Sequence, residues 1–154
     1  MKSSRGVSLA ALMLVAVALC VGCSSFRHDA RQARRATASA TGIEGLWEGQ
    51  WRSDKDPEHG GAMQMVLTRS GETLYRASSR SHWWRVFRSA YDTHLVVTPV
   101  APGQYLLRGG RHIWCFGDHS LTGRVDGARL QAVYKVGNQG GTIELRRNGA
   151  GGTP

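Results

Sequence analysis

From Gly45 onward apolar and polar positions alternate with a period of two, the spacing that puts every second side chain on one face of a strand. In Gly45-Leu46-Trp47-Glu48-Gly49-Gln50-Trp51, one face carries Trp47, Gly49 and Trp51 and the other carries Leu46, Glu48 and Gln50. Residues 54–61 (DKDPEHGG) form a turn-rich break. Residues 62–69 alternate again, with Met63, Met65 and Leu67 on one side. Ser70-Gly71 then signals a hairpin into residues 73–79, where Tyr75 and Ala77 face inward. Residues 82–91 have no clean period and fit a bent strand, two short strands or a strand broken by a bulge.

Residues 93–100 are β-branched and strand-like, and Ala101-Pro102-Gly103 is a turn. Residues 104–108 form a short strand closed by Gly109-Gly110. Residues 112–116 and 120–125 flank Gly117-Asp118, and Asp126-Gly127 sets a tight turn. Residues 129–136 alternate with Leu130, Ala132 and Tyr134 inward, and 142–147 with Ile143 and Leu145 inward. Eight to nine strands at roughly ten-residue spacing, with no amphipathic helix between them, predict an all-β domain over residues 43–147. Its form is an up-and-down barrel or barrel-like sheet of about eight antiparallel strands. Residues 148–154 (NGAGGTP) read as a disordered tail.

The N-terminus follows other rules. Val7–Val21 is a run of 15 apolar and small residues, interrupted only by Ser8 and preceded by Lys2 and Arg5. That is the length of a signal-peptide core and falls short of the ~20 residues of a membrane-spanning helix. Residues 24–42 (SSFRHDARQARRATASATG) have poor apolar periodicity and predict a mobile tether, transiently helical around residues 30–35. A flexible tether of this length reaches ~25 Å.

Leu19-Cys20-Val21-Gly22-Cys23-Ser24 resembles the lipobox of bacterial lipoproteins. Gly22 is the small residue that the family's peptidase requires, while Cys20 stands where the family usually has Leu. The resemblance implies removal of residues 1–22, diacylation of Cys23 and a lipidated linker over 23–42. Two acyl chains anchor stably where one binds only marginally. Ser24, in place of the inner-membrane retention Asp of many Gram-negative lipoproteins, implies the periplasmic face of the outer membrane.

The remaining 132 residues are one domain's worth, with 18 basic and 11 acidic side chains, a balance of +7. Lys55 and Lys135 are their only lysines, and the arginine bias reads as genome composition. An exported protein does not normally meet nucleic acid, so this charge does not imply a nucleic-acid partner. With Cys20 removed and Cys23 acylated, Cys115 stands alone and no internal disulfide can form.

Gly45-Leu46-Trp47 at the start of the first strand resembles the G-x-W opening of lipocalin-like (calycin) barrels. That family also carries an arginine on its last strand that packs over this tryptophan, and Arg146 and Arg147 are the two candidates. Arg147 shares the phase of Ile143 and Leu145, where it would compete with the core.

Small barrels can hold one ligand, so Trp47 and Trp51 are candidate cavity residues, although core packing accounts for most tryptophans in a small β-domain. Trp83 and Trp84 are adjacent, point to opposite faces and cannot both enter one core, which makes them candidates for a contact surface. His112, Cys115 and His119 match no zinc spacing, and no metal or cofactor is expected. Asp118-His119-Ser120 holds the letters of a hydrolytic triad but reads as a turn, because those groups must converge from separate segments. The expectation is a non-catalytic envelope lipoprotein binding either an apolar small molecule or an envelope protein, or else a structural accessory with a filled core.

Overall fold

The alternation closes on itself. In the computed structural model, which describes residues 26–35, 42–56, 58–83, 87–113 and 117–148, eight antiparallel strands form a closed up-and-down barrel in chain order. They are β1 (Gly45–Ser53), β2 (Gly60–Arg69), β3 (Leu74–Trp83), β4 (Phe87–Ala101), β5 (Gln104–Ile113), β6 (Gly117–Asp126), β7 (Arg129–Val136) and β8 (Gln139–Arg147). β1 pairs with β2 on one side and β8 on the other, which closes the sheet on itself. The odd-to-even connections lie at one end, called upper here. The even-to-odd connections and both ends of the described barrel chain lie at the lower end.

The ambiguous residues 82–91 resolve as the end of β3 and the start of β4. Two expected breaks are instead strand. β5 runs through Gly109 and Gly110, and β6 begins at Gly117, so Asp118-His119 is not a turn. The two glycines are spacing devices rather than punctuation. A side chain at Gly109 would overlap the His94 carbonyl oxygen and come within 2.6 Å of Leu95 Cδ2. One at Gly110 would lie 2.5 Å from the His119 carbonyl. Glycine lets β5 run this close to both neighbours.

The lower end is sealed. Trp47 is fully buried, and its indole Nε1 donates to the Ile43 carbonyl at 2.9 Å. Ile43, also fully buried, leads the chain into the barrel. Arg147, at the end of β8, lays its guanidinium over the Trp47 ring, 4.9 Å from the centroid, and donates to the Gly42 carbonyl. Of the two candidate arginines, Arg147 therefore meets the tryptophan, while Arg146 is exposed. Arg147 does share the phase of Ile143 and Leu145, yet it lies beyond them at the barrel's rim, so it closes the core instead of competing for it. Burial pulls its pKa below that of a free guanidinium.

Within the stretch read as a tether, residues 26–35 form a helix, α1. Phe26, Ala30 and Ala33 fall at helical spacing and face the outside of the barrel wall, against Leu46 and Val66. Leu46 belongs to the polar face of β1 by alternation, and α1 is what buries it. Asp29 pairs with Arg76 of β3 at 2.9 Å, and Arg34 with Glu48 of β1 at 3.2 Å. Glu48 also accepts from Gln64 at 2.7 Å and from Asn148, tying α1, β1, β2 and the residue that follows β8 together.

Candidate functional site

The barrel interior divides by height. Around Trp47 it is apolar, with Leu67, Leu107, Val125, Leu130 and Leu145 all nearly inaccessible to solvent. Above Leu95 and Leu121, inward-facing positions on β3, β4 and β6 become polar, while β1 and β2 still contribute Trp51 and Met63. Ser79, Ser81, Thr93 and His119 are all buried there, between 1% and 6% exposed.

Register fixes how these groups meet. Leu95 of β4 is opposite Gly109 of β5, which is opposite Leu121 of β6. The next positions of that phase are Thr93, Arg111 and His119, on three successive strands; Thr93 and His119 are buried, and Arg111, directly paired with His119, is exposed. Ser79 of β3 is paired with Tyr91 of β4, and the Tyr91 ring meets His119 edge-on at 5.4 Å. Tyr134 of β7 is paired with Leu121 and stands edge-on to Trp51 at 6.2 Å.

Above this level the wall changes. The β4–β5 ladder runs only between the Leu95–Gly109 and Ala101–Gln104 pairs. Higher up, residues 89–94 pair with β3 and residues 110–112 with β6. Arg111 spans the two strands instead, its Nη1 donating to the Asp92 carbonyl at 2.7 Å.

Two buried polar atoms here lack a hydrogen-bond partner among the described residues, Thr93 Oγ1 and His119 Nδ1. Buried polar groups are paired in the great majority of cases, so two orphans on one level stand out. Burial holds the His119 pKa below its ordinary value, and the positive charge of Arg111 adds to this. His119 is therefore neutral at pH 7, with one ring nitrogen a donor and the other an acceptor. Burial, reinforced by Tyr134, pushes Tyr91 up to about 12 against the opposing effect of its hydrogen bond with Ser79. Its phenol thus stays protonated at pH 7.

A pH dependence follows from His119. The unfolded chain takes up the imidazole proton near the ordinary value of about 6.5, and the folded chain only at lower pH. His119 therefore contributes full stability above about pH 6.5 and loses it as the pH falls toward the folded value. The urea midpoint is expected to drop between pH 7.5 and 5.5, and to drop less in His119→Gln.

The sequence candidates are distributed differently. Trp47 and Trp51 are both inside, Trp47 in the lower seal and Trp51 in the upper half, where its Nε1 donates to the His82 carbonyl at 3.3 Å. Trp83 ends β3 opposite Phe87. Trp84, Cys115, the acylation candidate Cys23 and residues 149–154 lie outside the described residues. His112 faces outward and pairs with Asp118 at 2.8 Å, so the wall separates it from His119. Sequence reasoning missed Thr93 and His119 as interior groups. Their signal was phase, since His119 is two and six residues from the inward Leu121 and Val125. Compared with protein-family models, with curated proteins and with solved structures, the chain finds a match in none of the three.

Proposed function

We propose that this chain is an envelope lipoprotein, acylated at Cys23 and held at the periplasmic face of the outer membrane, whose lipocalin-like barrel binds one small molecule with an apolar body and a polar head. The supporting observation is the pair of orphaned atoms, Thr93 Oγ1 and His119 Nδ1, facing the interior of a closed barrel. An interior serving only as a filled core would gain stability from apolar groups there, because an unpaired buried polar atom costs about 1–3 kcal/mol. A ligand's head supplies the missing partners. On this reading the protein acts as a binder.

Native mass spectrometry of residues 24–154, exported to a periplasm, tests this. An extra mass that is lost on denaturation is the expected result. A bare monomer that stays bare after incubation with envelope extract overturns it.

One observation favours a second reading, a protein partner. Leu74, Val96, Val100 and Leu106 are 39–55% exposed and adjoin on the outer face of β3–β5. Contiguous exposed apolar surface marks interaction sites more often than scattered residues do. Crosslinking from Leu106 in intact envelopes would capture such a partner.

A further inference from the structure

We infer that the outer flank of β3–β5, with its exposed apolar side chains and the arginines beside them, rests on an anionic lipid surface. The inference rests on the lipoprotein reading above and is independent of any ligand inside the barrel.

The first argument is where the exposed apolar groups lie. Among the described residues, Leu74, Val96, Val100 and Leu106 are four of the five large apolar side chains that are exposed, and the fifth, Val133, is on β7. Register puts the four together. Leu74 is opposite Val96, Leu106 is opposite Thr98, and Thr98 is the outward position between Val96 and Val100. The opposite wall is polar on its outer phase, with Gln50 and Arg52 on β1 and Thr142, Glu144 and Arg146 on β8. Where apolar residues do face outward on β1 and β2, at Leu46 and Val66, α1 covers them. The barrel thus covers one apolar outer patch with its own helix and leaves the other bare.

The second argument is charge. Arg108 is opposite Val96, and Arg124 of β6 is opposite Leu106, so two exposed guanidinium groups border the apolar side chains. Neither forms an ion pair among the described residues, and Arg124 donates only to the Gln131 amide oxygen at 3.3 Å. Asp92 is the one carboxylate on β3–β5, and it lies 3.9 Å from Arg76. Glu72 and Asp126 stand at the lower rim, beyond the strand positions that carry the patch. Aliphatic side chains entering the headgroup level, with arginines meeting lipid phosphates at its edge, are the pattern of a surface that lies on a membrane.

The third argument is the direction of α1. Asp29 pairs with Arg76 of β3, and Arg34, five residues later, pairs with Glu48 of β1. The helix therefore crosses the wall from β3 toward β1, and the chain enters it from the β3 side. An acyl anchor at Cys23, three residues before Phe26, brings the lipid to β3 and its neighbour β4, where the bare flank begins.

The test measures how residues 24–154, which contain the whole of α1 and the barrel, partition onto sedimented vesicles. One set is phosphatidylcholine alone and the other contains about one-third phosphatidylglycerol. Tighter binding to the anionic set is expected. Arg108→Gln with Arg124→Gln should weaken it about fivefold for each arginine removed. Val96→Asn with Leu106→Asn should weaken it about tenfold, from the apolar area no longer buried. Arg52→Gln with Arg146→Gln removes the same charge from β1 and β8, on the far side of the barrel and beyond the screening length, and should stay close to the parent. Absence of binding to anionic vesicles overturns the lipid assignment and returns the flank to a protein partner. An equal loss in the Arg52→Gln, Arg146→Gln control overturns it too, by showing net charge alone at work. Self-association without vesicles that Val96→Asn with Leu106→Asn abolishes assigns the flank to a second copy of the chain instead. The intact mass of the full-length chain, purified from bacterial envelopes, checks the anchor separately. A mass without acyl groups overturns the lipoprotein reading, whatever the vesicles show.

Discussion

Trp47→Ala is expected to cost the barrel about 3–5 kcal/mol, the range for removing a large buried aromatic side chain. Typical domains have only about 5–15 kcal/mol of total stability, so much of the population should unfold under mild denaturant. Three losses coincide at this position. The ring is fully buried, and truncation leaves a hole at the lower end. Its Nε1 donor disappears, and the Ile43 carbonyl loses a buried partner. The Arg147 guanidinium loses the aromatic face 4.9 Å away and is left half-buried over a void. Trp47→Phe separates these effects, because it keeps most of the volume and an aromatic face but loses the donor. Urea denaturation followed by circular dichroism should place Trp47→Phe between the parent and Trp47→Ala. A Trp47→Ala midpoint close to the parent's would mean that the lower seal contributes little to the fold.

Gly49→Val is expected to be nearly as damaging for the opposite reason. Gly49 lies on the inward face of β1 between Trp47 and Trp51, opposite Leu145 of β8. A Cβ there would overlap the Glu144 carbonyl oxygen and lie 2.9 Å from Leu145 Cα. Those are backbone atoms, so relief requires β1 and β8 to separate, and this pair is where the barrel closes. Overpacking a tight site costs typically about 1–3 kcal/mol, and the upper part of that range or beyond is expected where backbone must move. Hydrogen exchange should show the signature, with faster exchange in β1 and β8 than in β5 and β6. Uniform exchange at the parent rate would show that the junction accommodates a side chain.

The strands were legible because alternation is a local property. Trp47, Trp51, Met63, Met65 and Leu67 declare their face within a few residues, and closing the barrel does not change it. Gly109 and Gly110 misled because glycine carries two meanings in β-structure. It marks turns, and it also permits close approach within a strand. Only the neighbouring strands reveal which applies. The choice between Arg146 and Arg147 was undecidable for a similar reason. The phase was readable, but whether that phase was already core or rim at residue 147 depends on where β1 begins. His119 was hidden by its neighbours, since Asp118 and Ser120 suggest chemistry on one segment while the side chains that matter come from β4 and β5. The helix was read only as a transient tendency around residues 30–35, and its packing on the barrel was missed, because two of its three wall-facing residues are alanines, which hardly register as an apolar stripe.

That helix changes what an anchor at Cys23 would allow. A free linker as far as residue 42 would let the barrel wander tens of ångströms from the bilayer and tumble there. With α1 fixed to the barrel wall from Phe26 onward, the chain between Cys23 and Phe26 spans at most about 11 Å. The acyl chains would then hold the domain on a short leash attached to the outside of its wall, beside β3. Rotation would be restricted, and one flank of the barrel would be presented to the lipid at all times. Distance from the membrane would then be set by the Asp29–Arg76 and Arg34–Glu48 pairs, so cutting those two contacts would lengthen the reach without changing a residue of the lipid signal.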